Sequence, residues 1–393
     1  MVQNTILTRP NPSGLVLGFT LAILTGLFFQ FFTGQEMTKL SVDDAVVAAA
    51  DVAVADLAVV DSDQHQGENI EAGENHPDAQ LLSAAGLWDT TPEEFQRILD
   101  LGANIKARNS DGCTPLHIAM GWTHSTDRIQ FLLDKGADIE SRDNDGNTPL
   151  MFAASNWRGF ATEIVVFLIQ NGAQIEARDN DGNTPLMMAA HGYSTLEIVQ
   201  FLIDKGADIE ARNNDGNTPL MLAAHHSYIK KVQLLIVNGA KIDVTNNDGS
   251  TPLMLAAQND SIETFKFLLE KGAKIDARNN HGSTALMFAA RNPWGPEHAQ
   301  CLLDKGAEID ATNNDGWTAL MFAANFCPSN ASIGQLREPI TPAFIVQLLF
   351  DRGANPLLVS KEGKKALNYA DLNPYLWNNW IYWKLFDKSD INY

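Results

Sequence analysis

A ten-residue motif, Asp-Gly-Asn-Thr-Pro-Leu-Met-Leu-Ala-Ala at residues 215–224, recurs along most of the chain and constrains its fold more than any other feature. Close copies begin at Asp111, Asp145, Asp181, Asp215, Asp248, His281, Asp315 and, in degenerate form, Glu362. Successive copies start 33 to 36 residues apart, except for the last, which starts after 47 residues. A near-constant period of this length is typical of supersecondary units that stack on one another. The motif therefore predicts a repeat array that forms a single structural unit.

Each repeat has the residues needed for two short helices. Asn-Asp-Gly favours a tight turn because Asn and Gly tolerate positive φ, the following Thr caps a helix, and Pro fits the first helical position. Leu-Met-x-Ala-Ala then gives a short first helix. A second helix, such as residues 229–237, ends at Asn238-Gly239, where Gly favours a left-handed cap. The sequence therefore predicts an all-α repeat solenoid.

The order turn, helix, turn, helix over about 33 residues, with Thr-Pro-Leu opening the first helix, resembles the ankyrin repeat. The resemblance covers residues 78–393 and implies antiparallel helix pairs stacked into a curved solenoid, with β-hairpin fingers projecting from one side. The sequence departs from the family pattern in two ways. The usual His after Thr-Pro-Leu is present as His117 and is Met in the other close copies, and Pro is replaced by Ala285 and Ala319. Because Met also fills the space between repeats, we expect the fold to be kept, but the hydrogen bonds of that His are in question.

Both ends of the array look atypical, as repeat proteins require. Near the start, Thr91 and Glu94 form a capping-box pattern without the Thr-Pro-Leu signature, and residues 366–393 form a degenerate unit with a Trp-rich C-terminal cap. Counting both ends gives about nine units. A long loop at 325–341 interrupts one of them, and it is either tolerated decoration or a recognition element.

Residues 14–32 are mostly apolar, and no charged side chain occurs between Arg9 and Glu36. As a helix they would span about 28 Å, close to the hydrocarbon thickness of a bilayer. We therefore predict a transmembrane helix or signal anchor at 14–32, preceded by an N-terminal flank at 1–13. Arg9 and Lys39 favour a cytoplasmic amino terminus and an extracytoplasmic repeat domain. The alternative is a cleaved signal peptide and a secreted protein, although the nearest small-x-small site, at 48–50, lies far downstream.

Small residues recur every fourth position in this predicted span, at Gly14, Gly18, Ala22 and Gly26. This pattern lets two helix backbones approach closely and predicts a homodimer through the transmembrane helix. The alternative is that Gly and Ala are simply common in membrane helices.

Residues 37–77 are rich in Ala, Val and Asp, and no Lys or Arg occurs from 40 to 96. The second half of this segment has too few apolar side chains to offset the entropy cost of ordering. We predict an acidic, largely disordered spacer between the membrane span and the repeats.

Charge and composition exclude several classes of function. The net charge of −20 repels phosphate backbones, so we expect no nucleic-acid partner. The three cysteines show no paired spacing, which argues against a disulfide framework or a zinc motif. No activated nucleophile, phosphate-binding loop or metal-ligand spacing is present, so we expect no catalytic residues, no cofactor and no metal site.

The fingers carry acidic and basic side chains two residues apart, such as Glu140 and Arg142. This spacing puts both on one side of an extended strand. It predicts exposed ion pairs, each worth under about 1 kcal/mol, that serve solubility and finger order.

In the ankyrin family the ligand-facing surface is usually formed by finger tips and by the ends of the first helices, and the resemblance carries this role to specific positions. In and after the first helices they are Trp122, Trp157, His191, Tyr193, His225, His226, Trp294 and Phe326, and after the finger Gly they are Asn147, Asn183, Asn217 and Trp317. Rigid rings beside small polar groups suit a protein-binding surface because they bury large areas at low entropy cost. The alternative is that some rings only pack the turns.

These observations predict a membrane-tethered scaffold that binds a partner protein through the concave face and fingers of an ankyrin solenoid. The alternative is a secreted ankyrin protein that acts on an external target. His191 and His225 occupy equivalent positions in adjacent units, but no carboxylate or thiol accompanies them, so recognition is favoured over metal binding.

Overall fold

The computed structural model of the protein describes residues 76–122, 125–156, 158, 160–259, 261–292, 294–326 and 342–373, together with Leu376 and Leu385. The chain divides into two units, Met1–Val59 and Val60–Tyr393, and every described residue belongs to the second. The predicted span at 14–32 with its small residues, most of the 37–77 spacer, Trp157 and loop residues 327–341 lie outside the described residues. None of the described helices combines the length and apolar character needed to cross a membrane.

Seventeen helices alternate between two sets in the described part of the chain. The first helices of the units are α1 (Pro77–Gly86), α3 (Pro115–Trp122), α5 (Pro149–Ser155), α7 (Pro185–His191), α9 (Pro219–His225), α11 (Pro252–Ala256), α13 (Ala285–Ala290), α15 (Ala319–Asn325) and α17 (Ala366–Ala370). The second helices are α2 (Pro92–Asp100), α4 (Thr126–Asp134), α6 (Ala161–Gln170), α8 (Leu196–Asp204), α10 (Ile229–Val237), α12 (Ile262–Glu270), α14 (Gly295–Asp304) and α16 (Pro342–Asp351). We number the units from 1 (α1 and α2) to 9 (α17).

Helix ends follow the predicted local chemistry. The hydroxyl of Thr148 accepts a hydrogen bond from the backbone N–H of Met151, and Thr184, Thr218, Thr251 and Thr318 repeat this cap. At the other end of a unit, Gly239 follows α10 with φ +96°, the left-handed conformation that the sequence predicts. The capping box of Thr91 and Glu94 opens α2, also as predicted.

The core lies between successive units. Each first helix contacts the next first helix, and each second helix contacts the next second helix. In unit 5 the side chains of Leu220, Ala223 and Ala224 from α9 and of Val232 and Leu235 from α10 are at most 1% exposed. Full burial of a Leu or Val side chain contributes about 1.5–3 kcal/mol, so stability comes mainly from the junctions between units.

The fingers differ from the β-hairpins that the resemblance implies, because the described residues contain no β-strand. Each finger is a tight turn closed by backbone hydrogen bonds. In unit 3, Asp143 N–H donates to Asn147 O at 3.1 Å and Gly146 N–H donates to Asp143 O at 3.2 Å. Further bonds run along the stack, since Asn144 N–H donates to Asp111 O of the preceding finger at 2.9 Å. Adjacent fingers therefore hydrogen-bond to one another, where extended hairpin strands were expected.

The Glu and Arg side chains of the fingers also bind to backbone, contrary to the ion pairs expected from their spacing. Glu140 accepts a hydrogen bond from Gln174 N–H at 2.8 Å. The guanidinium of Arg142 donates to Gly146 O at 2.9 Å and to Arg178 O in the following unit. These side chains join neighbouring units, which gives them a structural role that a surface ion pair would lack.

His117 makes the bond between units that is lost where Met replaces it. Its Nδ1 accepts from Thr114 at 2.9 Å, and its Nε2 donates to Asn147 O of the next unit at 3.1 Å. In unit 3 the equivalent Met151 is fully buried, and its sulfur accepts only the N–H of Thr148 in the same unit. The Met units therefore exchange a polar bridge for apolar packing.

Side chains of one unit also cap first helices of the preceding unit. Free carbonyl groups at a helix C-terminus need donors when they are buried. The donors are Arg128 to Ala84 O, Asn156 to Met120 O, Lys231 to Ala189 O, Asn292 to Ala257 O and Asn373 to Ala324 O. These bonds fix how each unit sits on the one before it.

At the C-terminal end, α17 packs on α15. The side chains of Leu376 and Leu385 are fully buried. Most of the predicted Trp-rich cap at 366–393 lies outside the described residues.

Candidate interaction surface

The turns that join the first and second helix within each unit form one edge of the stack, which we call the turn edge. Large aromatic side chains are exposed on it: Tyr193 is 76% exposed, Trp88 68% and Trp294 39%. Trp122 is half-buried, with the guanidinium of Arg158 lying 4.3 Å from its ring centre. Because stacking aligns equivalent turns, side chains far apart in sequence share this edge.

Units 4 and 5 bring five rings together on the turn edge, and we call His191, Tyr193, His225, His226 and Tyr228 the His–Tyr cluster. The ring of His226 lies 4.6 Å from that of His191 and 4.9 Å from that of His225, both edge-on. Tyr228 stacks on His226 at 6.2 Å, and Tyr193 meets Tyr228 edge-on at 6.2 Å. The predicted neighbours His191, His225 and His226 are therefore in contact.

Lys231 is a buried residue that contacts the His–Tyr cluster. Its side chain is 4% exposed, and its ammonium donates to Ala189 O at 2.7 Å and to Gly192 O. The ammonium also lies 4.5 Å from the ring centre of Tyr228. Burial lowers the pKa of Lys231 to about 8. The buried cation fixes the end of α7 and the ring of Tyr228 at the same time.

Burial favours the neutral form of the three histidines of the cluster. Partial desolvation lowers the pKa of His191 and of His225 below the usual value. Desolvation, reinforced by His191, His225 and Lys231, lowers the pKa of His226 to about 4. Neutral imidazoles and phenols offer apolar faces together with hydrogen-bonding edges, the combination found at protein interfaces.

A second feature, the C-terminal groove, lies across units 7 to 9. It has a volume of about 690 Å³ and is lined by Arg291, Asn313, Asp315, Trp317, Phe322, Asn325, Phe326, Lys361 and Glu362. Its floor is aromatic, because Trp317 packs on Phe322 at 5.0 Å and on Tyr369 at 4.2 Å. The structure thus places the predicted residues Trp317 and Phe326 in one groove.

The stacked helix pairs and short fingers agree with the comparison to known families. A family profile described as "Ankyrin repeats (3 copies)" matches residues 81–179, 157–246 and 228–313, which together span more than half of the chain. The chain belongs to the ankyrin-repeat family. No curated protein matches its sequence. Ankyrin repeats generally serve as protein-interaction scaffolds and not as enzymes.

In this ankyrin array the side chains of the three predicted finger asparagines form hydrogen bonds within the row of fingers. Asn147 donates to Asp143 Oδ2 at 3.0 Å, and Asn183 makes the same bond to Asp179 at 2.9 Å. Asn217 accepts from Asn246 of the next unit at 3.0 Å. All three are half-buried, so their amide groups order the fingers.

No group of three or more His, Cys, Asp or Glu in the described ankyrin units is arranged to hold a metal ion. The ring of His226 contacts those of His191 and His225, but among the residues that the structure describes no carboxylate or thiol joins them to form a metal-binding group. What the arrangement can do chemically is bind, through aromatic faces and hydrogen-bonding edges.

Sequence reasoning missed several residues of these surfaces, among them Trp88, Tyr228, Lys231, Arg291 and Lys361. Trp88 precedes the first copy of the motif, so no repeat signature pointed to it. The turn of unit 4 spans 192–195 and that of unit 5 spans 226–228, and this difference in length hid the pairing of Tyr193 with Tyr228. Lys231 lies within an apolar second helix, and a polar residue there was a usable signal.

Proposed function

We propose that the ankyrin array binds a partner protein through the turn edge and the His–Tyr cluster. The observation that carries this proposal is the exposure of Trp88 and Tyr193, two large aromatic side chains, on the turn edge of the stack. Exposed Trp and Tyr side chains on a rigid support are the residues that most often dominate protein-binding energy. Their neighbours His191, His225 and His226 add hydrogen-bonding groups without net charge near neutral pH.

The proposed contact area is the turn edge, which differs from the concave face and fingers expected from sequence. The finger residues Asn147, Asn183 and Asn217 are engaged in structural bonds, which supports placing recognition on the turn edge. Binding without chemistry is the proposed activity, with no cofactor and no catalytic residue.

We further propose that residues 14–32 tether the array to a membrane as a single span, with the repeats on the extracytoplasmic side. The apolar run between Arg9 and Glu36 supports this, and the spacing of Gly14, Gly18 and Gly26 supports a homodimer. The second candidate is a secreted protein formed by cleavage after this segment.

The turn-edge proposal predicts that the double variant Trp88→Ala and Tyr193→Ala captures at least tenfold less partner than the wild type. Truncating a central aromatic contact typically costs about 2 kcal/mol or more of binding free energy, which lowers the affinity about thirtyfold. Proteins crosslinked to the full chain in its native membranes would be compared quantitatively by mass spectrometry.

A matched control replaces Leu101 and Val237 with Ala. These side chains are 57% and 80% exposed but lie where second helices end, away from the turn edge. Both double variants should unfold like the wild type, because exposed side chains contribute little to stability. Equal losses in the two variants, or no loss in the first, would contradict the turn-edge proposal.

The tether predicts that the mature full chain stays in the membrane fraction after alkaline carbonate washing and keeps residues 1–32 in its mass spectrum. Deleting residues 14–32 should move it to the soluble fraction, since about 19 apolar residues supply its membrane affinity. A mature chain that begins after residue 32 would support the secreted alternative instead.

A further inference from the structure

We propose that the C-terminal groove binds an extended, acidic segment of a partner protein, with a large apolar side chain over Trp317 and Phe326 and a carboxylate beside Arg291 and Lys361. This inference rests on the proposed protein-binding function and specifies the chemistry of the segment bound at one place on the stack.

The aromatic floor is a local feature of unit 8. The position after the finger Gly is Asn147, Asn183, Asn217, Ser250 or Ser283 in units 3 to 7, and Trp317 in unit 8. Trp317 is only partly covered by Phe322 and Tyr369, so one part of its ring faces the groove. A ring that is held on one side and open on the other is a suitable anchor for an apolar side chain.

The charge of the groove differs from that of the whole chain. Arg291 and Lys361 are both exposed, and within the described residues no carboxylate lies within ion-pair distance of either. Glu362 is offset by Lys364, whose ammonium lies 2.9 Å away. Asp315 is the remaining carboxylate of the lining. Counting Lys364, three cations stand against the two carboxylates Asp315 and Glu362, and on a chain of net charge −20 this local charge of +1 favours an acidic occupant.

Arg291 and Lys361 belong to different units of the stack. Arg291 follows α13 in unit 7, and its guanidinium lies 6.0 Å from the ring centre of Phe288. Lys361 belongs to the finger of unit 9, and its N–H donates to Asp315 O at 2.8 Å. The two cations therefore come from units 7 and 9, which flank the unit 8 that supplies Trp317, and an extended peptide that crosses unit 8 can reach both.

The experiment measures fluorescence anisotropy of short labelled peptides with the full chain in mild detergent at low salt. One peptide has a central Trp flanked by Glu residues, and its matched form has Lys in place of each Glu. We expect the Glu peptide to bind at least tenfold more tightly than the Lys peptide. Its binding should weaken with salt, because exposed charges are screened.

Charge reversal identifies the groove as the site. Arg291→Glu and Lys361→Glu should each weaken binding of the Glu peptide about tenfold, and Trp317→Asn should do the same without changing the preference for Glu over Lys. Lys274→Glu makes the same charge change at an exposed position outside the groove and should have little effect.

Equal binding of the two peptides, no binding of either, or equal effects of Lys274→Glu and Arg291→Glu would overturn the inference. If these results appear while the Trp88 and Tyr193 variant still loses its partner, the groove inference fails and the proposed function stands. If the groove variants behave as expected while partner capture survives the loss of Trp88 and Tyr193, the turn-edge proposal fails by itself.

Discussion

Replacing Gly216 with Ala is expected to lower the free energy of unfolding of the array by about 2–5 kcal/mol. Gly216 has φ +77°, where a side chain costs about 1–2 kcal/mol. An added Cβ would also lie 2.8 Å from the backbone nitrogen of Asn247 in the next finger. Relieving that overlap requires backbone movement, which adds about 1–3 kcal/mol. Urea unfolding followed by circular dichroism measures the loss.

Gly206→Ala is the matched control. Gly206 has φ +94°, but an added Cβ meets no atom within 4 Å. In this variant the free energy of unfolding should fall only by the cost of placing a side chain at positive φ, about 1–2 kcal/mol. If both variants lost the same free energy of unfolding, the close contact between adjacent fingers would not be what excludes a side chain at Gly216.

Phe265→Ala is expected to cost about 3–5 kcal/mol, the range for removing a buried Phe. Phe265 is fully buried in unit 6, and its ring meets His298 of unit 7 edge-on at 4.8 Å. The cavity would open at a junction in the middle of the array. Since each unit contacts only its neighbours, the damage should be local, and hydrogen exchange should quicken most in α12 and α14.

Phe344→Ala provides the comparison, because Phe344 is 58% exposed. We expect its free energy of unfolding to change by no more than about 0.5 kcal/mol. Uniformly faster exchange along all units after Phe265→Ala would argue against independent junctions and for a single cooperative stack.

Local features of the fold were predictable because they depend on near neighbours in sequence. The cap by Thr148 and the left-handed Gly239 each follow from a few adjacent residues. The role of Arg142 was not predictable, because its acceptor Arg178 O lies in the following unit. The same limit applies to Asn144, whose N–H finds Asp111 O in the preceding finger. Bonds of this kind also replaced the expected hairpin strands.

The candidate surfaces were partly predictable for a related reason. Equivalent spacing placed His191 and His225 in adjacent units, and the structure shows both in contact with His226. Lys231 was missed because its acceptors, Ala189 O and Gly192 O, belong to another unit. The groove was missed as a whole, since it combines Arg291 and Lys361 from units 7 and 9.

The bonds that cross each unit boundary have a consequence for distance. Across the boundary of units 3 and 4, Arg142 donates forward to Arg178 O and Asn180 donates back to Asn144 O, so this boundary is held from both directions. With neighbouring helices about 8–10 Å apart, the His–Tyr cluster of units 4 and 5 and the groove of units 7 to 9 stand about 30 Å from each other. The array therefore fixes the distance between the two surfaces. A partner that binds both surfaces must present its own contacts at that separation. Inserting one whole repeat between the two surfaces would increase their separation by about 8–10 Å, so such a partner could no longer bind both.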